Sequence, residues 1–301
     1  MALTIEQRRE RCKYIGGSDC AAIFNISKWS TPLDIFFEKI QDEVDDEDTS
    51  NDAMEWGNKL EPLIIQTFQE KTGKECKIDN ETLFHPKYKF IAANLDARLI
   101  NENAILEVKT ARFPGDWGDL ASDQIPDPYL MQVAHYSAVM NLDKVYIAVL
   151  ISGSDFRVYE YNKNPKLEDI IIQREVDFWN NHVLPKIPPT PSNALDALKL
   201  WKQAISGSII TANPDIADIV SEIKALKNQI KTLENLQNEH VTVLASFLKG
   251  SETLIDEKDR VLATWKSQNT NRFDLTRFKA ENEELYNKYI KQSSTRVWRI
   301  K

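Results

Sequence analysis

FIAANLDARLINENAILEVKTAR, residues 90–112, is the stretch whose reading decides the fold. Two short apolar runs flank a polar NEN turn, so it reads as a β-hairpin. Yet Asp96, Glu107 and Lys109 interrupt it, and charged side chains are poor material for strands that pack on a core. In AILEVKT the side chains alternate, so Leu106 and Val108 face one way while Glu107 and Lys109 share the other, roughly 6–7 Å apart. The pattern predicts one core face and one face that carries charge. Asp96 lies on the preceding strand. A loop with an even number of residues brings it opposite Glu107 or Lys109, whereas an odd loop turns it into the core.

Two carboxylates a few ångströms apart raise each other's pKa unless a cation lies between them. Hard oxygen donors with no neighbouring His or Cys suit Mg²⁺ or Mn²⁺ better than zinc. A lysine beside a metal-bound water can orient it or take its proton, and the metal makes that water acidic enough to attack a phosphodiester. D-x10-E-x-K therefore fits a hydrolytic nuclease. A surface charge cluster on a half-exposed hairpin carries the same residues, so other segments have to agree.

Working outward, YIGGSDCAAIF places Gly16 and Gly17 in a turn, with Ser18 or Asp19 capping a helix. STPLDIFFEKI repeats the signal, with Ser30 or Thr31 as cap and Pro32 in the first turn. Residues 54–71 have apolar side chains at helical intervals (Trp56, Leu60, Ile64, Phe68) and stop at Gly73; Pro62 kinks this helix or begins its second half. DPYLMQVAHYSAVMN carries Asp127 as cap, Pro128 at the first helical position and Asn141 at the end. Strands KVYIAVLISG and FRVYEYN and a helix over 167–182 follow. This order predicts an α/β (α+β) fold with a central mixed β-sheet flanked by helices.

LPKIPPTPSN (184–193) holds four prolines in ten residues and reads as a linker, which sets domains at 1–190 and 191–301. Beyond it, Ile216, Ile219, Ile223, Leu226, Ile230 and Leu233 alternate three and four residues apart, as in a coiled-coil seam. Gln237 and His240 interrupt it, His240 as a polar residue tolerated in the seam, before the stripe shifts to Val241, Leu244 and Leu248. The helix partner is the segment 193–207, another subunit or another protein. A hairpin (254–267), a helix (274–290) and a basic strand TRVWRIK complete this mainly helical extension with its basic tail.

The 301 residues carry a formal charge of −8, but QDEVDDEDTSND (41–52) holds seven of the acids and no base, so the remainder sums to −1. Net charge therefore neither supports nor excludes DNA as a ligand; the acidic run reads as a solvated loop. The longest apolar run, 145–151, is far too short to span a bilayer, and no basic-then-apolar leader opens the chain. Three cysteines (Cys12, Cys20, Cys76) without CxxC or Cys/His spacing indicate neither a disulfide framework nor a zinc site. A cytoplasmic protein with no membrane partner is expected.

YIGGSDCAAIFNISKWSTPLDIFFEKI, EWGNKLEP, ANLD, LEVKT and PYLMQVAHYSAVM, in this order over residues 11–150, resemble the YqaJ viral recombinase family, relatives of lambda exonuclease in the PD-(D/E)XK nuclease superfamily. The resemblance implies a restriction-endonuclease-like core. It implies Asp96, Glu107, the Val108 carbonyl and Glu61 as ligands of Mg²⁺ (or Mn²⁺), two ions per site, with Lys109 as the catalytic lysine. Gln132 matches the first glutamine of the family's QVQ block; this chain has QVA, so the second glutamine's contribution is absent or comes from His135. Arg11 matches a holder of a 5′-terminal phosphate, or is one of three clustered arginines (Arg8, Arg9, Arg11) on a surface helix. Ser18, at a probable-anion position where a helix begins, joins Arg11. Asn94 stands where lambda exonuclease has a small hydroxyl residue. Asp19 would repel a phosphate unless it caps the helix or faces the metal.

The resemblance further implies a 5′ to 3′ exonuclease that resects double-stranded DNA ends and leaves 3′ single strands for annealing-based recombination. Its partners are DNA ends, a RecT-like single-strand annealing protein and further copies of the chain, with a ring trimer as the precedent. The tail is a large addition to that plan. From Ser251 it has eleven bases against eight acids, and Trp265, Lys266, Arg272, Arg296, Trp298 and Arg299 either grip DNA or form a basic rim. The acid and lysine motif does not encode directionality, so an endonuclease or repair nuclease of the same fold, or a DNA-end-binding adaptor with a vestigial site, stands as the alternative.

Overall fold

The computed structural model describes residues 5–41, 52–79, 81–119 and 122–301. Most of the acidic run, residues 42–51, lies outside the described residues. The chain divides into two compact units, Met1–Lys199 and Leu200–Lys301.

The first unit opens with helices α1 (Ile5–Arg11), α2 (Gly17–Ile23), α3 (Pro32–Ile40) and α4 (Asp52–Thr72). Strands β1 (Cys76–Ile78), β2 (Thr82–Phe84), β3 (Ala92–Asn94), β4 (Ala97–Leu99) and β5 (Ala104–Ala111) follow, then α5 (Asp127–Met140), β6 (Lys144–Ile151), β7 (Asp155–Asn162), α6 (Pro165–Phe178) and α7 (Ala194–Leu200). The main sheet runs β1-β4-β5-β6-β7, parallel only between β5 and β6, so the expected mixed sheet is present. The parallel pair needs a crossover, and α5 supplies it.

Helices cover both faces. Ile64, Ile65 and Phe68 of α4 pack with Leu106, Tyr146 and Ala148 on one side. On the other, Val133, Ala134 and Tyr136 of α5, Cys20 and Ala21 of α2 and Ile171 of α6 pack with Ile105, Ile147 and Val149. A strand buried on both faces reads as a continuous apolar run, as β6 does. This corrects the expectation for the opening stretch: the face that carries Glu107 also carries buried Ile105, and Glu107 itself is only 3% exposed.

Residues 90–112 hold three strands rather than two. β3 leaves the main sheet and pairs with β2, and Asp96 sits in the bend before β4 instead of within a strand. Ala97 pairs with Leu106 across a four-residue loop, so the register carried back one residue sets Asp96 opposite Glu107, as an even loop requires.

Helix ends depart from expectation in small ways. Gly16 is the N-cap of α2, and Asp19 acts from the third helical position, accepting the Gly16 N–H at 3.0 Å. Thr31 caps α3, its hydroxyl accepting from Asp34 N at 3.3 Å. Asp127 is the first residue of α5, one place later than a cap, and Asn141 ends that helix at φ 55°. α4 continues as one helix through Pro62. All three cysteines are free, two of them buried.

The proline-rich segment does not end the first unit. It leads into α7, whose buried Asp196 accepts from Ser192 N and Thr31 Oγ1, both at 3.0 Å, so the boundary falls near 200 instead of 190. In the second unit, α8 (Pro214–Leu248) is one 35-residue helix, followed by the hairpin β8 (Thr253–Ile255) and β9 (Val261–Thr264). The helix expected over 274–290 is broken at Asn282 into α9 (Leu275–Glu281) and α10 (Glu283–Tyr289), and TRVWRIK forms no strand. His240 is exposed. No helix among the described residues is long and apolar enough to cross a membrane.

Candidate active site

β4, β5, α4 and α5 bring four of the implied residues to one place. On β5, Lys109 Nζ donates to Glu107 Oε1 at 2.5 Å. From α5, Gln132 Nε2 donates to the same oxygen and to Tyr136 Oη, each at 2.8 Å. Asp96 Oδ2 accepts the Val108 N–H at 2.7 Å. A strand residue sends its N–H and C=O to the same edge, so the Val108 carbonyl lies on the Asp96 side, past the last ladder pair of β4.

The electrostatics tie Glu61 of α4 to this group. Burial pushes Glu107 up to about 8, and the neighbouring charges of Asp96 and Glu61 add to it against the pull of Lys109. Burial also raises Asp96, opposed by Lys109 and the Val108 N–H. Glu61 is raised by burial and then by Asp96. Burial would lower Lys109, but Glu107 and Asp96 outweigh it and hold the ammonium protonated. Three carboxyl groups thus oppose one another's ionisation around one lysine.

One atom shows what this arrangement lacks. Glu107 Oε2 is buried with no hydrogen-bond partner. Leaving a buried carboxylate oxygen unsatisfied is costly, and a divalent cation among hard oxygen donors removes both that cost and the mutual repulsion. The donor set therefore fits such an ion. Among the described residues no three His, Cys, Asp or Glu side chains already converge on a single metal-sized point. That follows from the partners taken: Asp96 turns to the backbone, and Glu107 Oε1 to Lys109 and Gln132.

Residues 7–143 match the family model of the YqaJ-like viral recombinase domain. The uncharacterized protein YqaJ of Bacillus subtilis (strain 168) is 30% identical over 97% of this chain and 92% of its own. The chain belongs to the YqaJ family. Among solved structures, the alkaline exonuclease LHK-Exo from Laribacter hongkongensis is similar at 15% identity and TM-score 0.48, over 61% of this chain and 94% of that one. A phage related exonuclease from Haemophilus somnus 129PT is similar at 13% identity and TM-score 0.41, over 57% and 96%.

Residues 7–143, the YqaJ-family match, hold every site residue named from the sequence. They fall into two groups. Asp96, Glu107, Val108, Lys109, Gln132 and Glu61 form the cluster above. Arg11 and Ser18 form a second pair, Arg11 Nη2 donating to Ser18 Oγ at 2.7 Å. Asp19 beside them accepts from Lys39 Nζ at 2.8 Å, and Arg11 is 4.0 Å away. Burial would raise Asp19, but Lys39, Arg11 and the Gly16 N–H lower it. Its charge is therefore spent inside the fold and does not face an incoming anion.

Two expectations for the YqaJ-family blocks need correction. His135 cannot stand in for the second glutamine: it is fully buried, with Nδ1 on Glu175 Oε1 at 2.8 Å and Nε2 on the Ala92 carbonyl at 2.9 Å. Asn94 uses its amide inside the fold, donating to Tyr14 Oη at 3.0 Å and accepting from Thr82 Oγ1 at 2.7 Å.

Three residues of the site were not singled out from the sequence. Tyr129 carries Lys109 Nζ over its ring at 5.3 Å, and Tyr136 receives Gln132. Their signal was the spacing of residues 129, 132 and 136, which share one helix face. Buried Lys39 joins Asp19 to the Arg11 carbonyl at 2.9 Å; a lysine within an apolar stripe was its signal.

Proposed function

We propose that this YqaJ-family chain is a Mg²⁺-dependent deoxyribonuclease that resects double-stranded DNA from 5′ ends and leaves 3′ strands for a single-strand annealing protein. The observation that carries the hydrolytic part is Glu107: a buried carboxyl group shared by Lys109 and Gln132, opposed by Asp96 and Glu61, and left with one unpartnered oxygen. Asp96, Glu107, Glu61 and the Val108 carbonyl would hold the ion, or two ions. Mg²⁺ or Mn²⁺ there supplies an acidified water and neutralises phosphate charge.

The chain's own residues supply the rest. Lys109, kept protonated by the surrounding acids, presents a cation to a phosphate oxygen and to the attacking water. Gln132 fixes the rotamer of Glu107 from a buried position, so the carboxylate is preorganised before substrate arrives. Arg11 and Ser18, part-exposed on α1 and α2, offer a guanidinium and a hydroxyl to a terminal phosphate. That end preference, the polarity, the recombination role and a cytoplasmic setting follow the family resemblance.

An end-labelled linear duplex and a covalently closed circle, each with Mg²⁺ or EDTA, test the reading. Mononucleotide release from the 5′-labelled end of the linear duplex is expected in Mg²⁺ alone, lost in Lys109→Ala. Cutting of the circle would assign an endonuclease instead. Ends bound but uncut by the wild type would make the chain an adaptor.

A further inference from the structure

α8 presents an exposed apolar seam. Ile216 is 49% exposed, Leu226 55%, Leu233 65% and Phe247 74%. With Ile216 as position a, steps of three and four residues lead through five heptads to Phe247. Isoleucine holds a in the first three, leucine holds d at 226 and 233, and Gln237 (a) and His240 (d) make two adjacent polar layers.

We propose that α8 pairs with α8 of a second copy of this chain as a parallel, in-register, two-stranded coiled coil. Three observations carry it. β-Branched isoleucine at a with leucine at d favours two parallel strands. Glu222 at g then faces Lys227 at e of the second copy, and symmetry makes that ion pair twice. Gln237 meets Gln237 and His240 meets His240, so each polar layer finds a polar counterpart.

Charge alone would also permit an antiparallel pair, in which Lys227 faces Glu234. That arrangement sets Gln237 against Leu226 and His240 against Ile223, which buries polar groups with no partner. The polar layers decide for the parallel form. A seam built for another protein would have no reason to match itself in both charge and polar register. The inference stands apart from the nuclease reading, because no residue of the acid and lysine cluster enters it.

Sedimentation equilibrium of the full chain tests it, with the first unit's thermal transition as the control for folding. The wild type is expected at twice the chain mass. Glu222→Lys and Lys227→Glu should each weaken association about tenfold, and the two together should restore it, since the pair is then reversed. An antiparallel pair would not be rescued, because Glu222 takes no part in its Lys227–Glu234 contact. Oxidised Leu226→Cys should give a covalent dimer where the wild type, with its own three cysteines, does not. A monomeric wild type, a mass other than two chains, or a double variant no tighter than the single ones would overturn the proposal.

Discussion

Gln132 donates to Oε1 of Glu107 at 2.8 Å, and Oε2 of the same carboxyl group is buried without a partner. The amide thus fixes which oxygen faces the other acids. Gln132→Leu should leave the fold intact and lower turnover of linear duplex by about 10- to 100-fold, because Glu107 loses the bond that orients it. Rates with circular dichroism as the folding control check this.

Glu107→Gln separates stability from activity. The amide relieves the repulsion from Asp96 and Glu61 and gives the buried site a donor. The metal-free protein should become more stable by about 1–3 kcal/mol. Hydrolysis should vanish, and so should the thermal stabilisation that Mn²⁺ gives the wild type. Calorimetric scans with and without Mn²⁺ measure both effects.

Gly17 allows α2 to approach α5 closely. A Cβ there would lie 2.5 Å from Tyr136 Cε1 and 3.1 Å from Gln132 Cγ. Gly17→Ala must displace the two side chains that position Glu107. A loss of about 1–3 kcal/mol is expected from overpacking, with a fall in turnover larger than that loss explains. Denaturant titration beside single-turnover rates would show it.

Lys39 and Arg11 flank Asp19 but should respond differently. Lys39 is buried, and Lys39→Met strands the Asp19 charge, which should remove about 3–5 kcal/mol. Arg11 has a side chain 32% exposed, so Arg11→Ala should cost less than about 1 kcal/mol. It should instead reduce the preference for 5′-phosphorylated over 5′-hydroxyl ends, read from competing substrates.

His135 and Glu175 give the stability a pH dependence. Burial would lower His135 below its ordinary 6.5, but the Glu175 charge and hydrogen bond and the Ala92 carbonyl raise it above that value. Its contribution is therefore complete below about 6.5 and fades as pH rises through the raised folded value. Tm should fall across that alkaline range, and Glu175→Gln should flatten the slope while lowering Tm at neutral pH. Scanning calorimetry at several pH values tests the sign.

How much of this was legible in the sequence depends on the range of the interaction. AILEVKT set Glu107 and Lys109 on one strand face, because side-chain alternation is a local rule, and Thr31 and Asn141 marked helix ends for equally local reasons. The mixed sheet followed from the order of helices and strands. The sequence could not show that Ile105 and Glu107 share a buried face, since the alternation of one strand does not reveal what packs over it. Nor could it show that β3 leaves for β2, that α7 docks back through Asp196, or that His135 turns toward Glu175 and away from the site. Those facts depend on partners 40 to 165 residues away. Local chemistry determined which side chains carry charge. Only tertiary packing decided which charges are desolvated together, and desolvation converts three ordinary acids and a lysine into a candidate site.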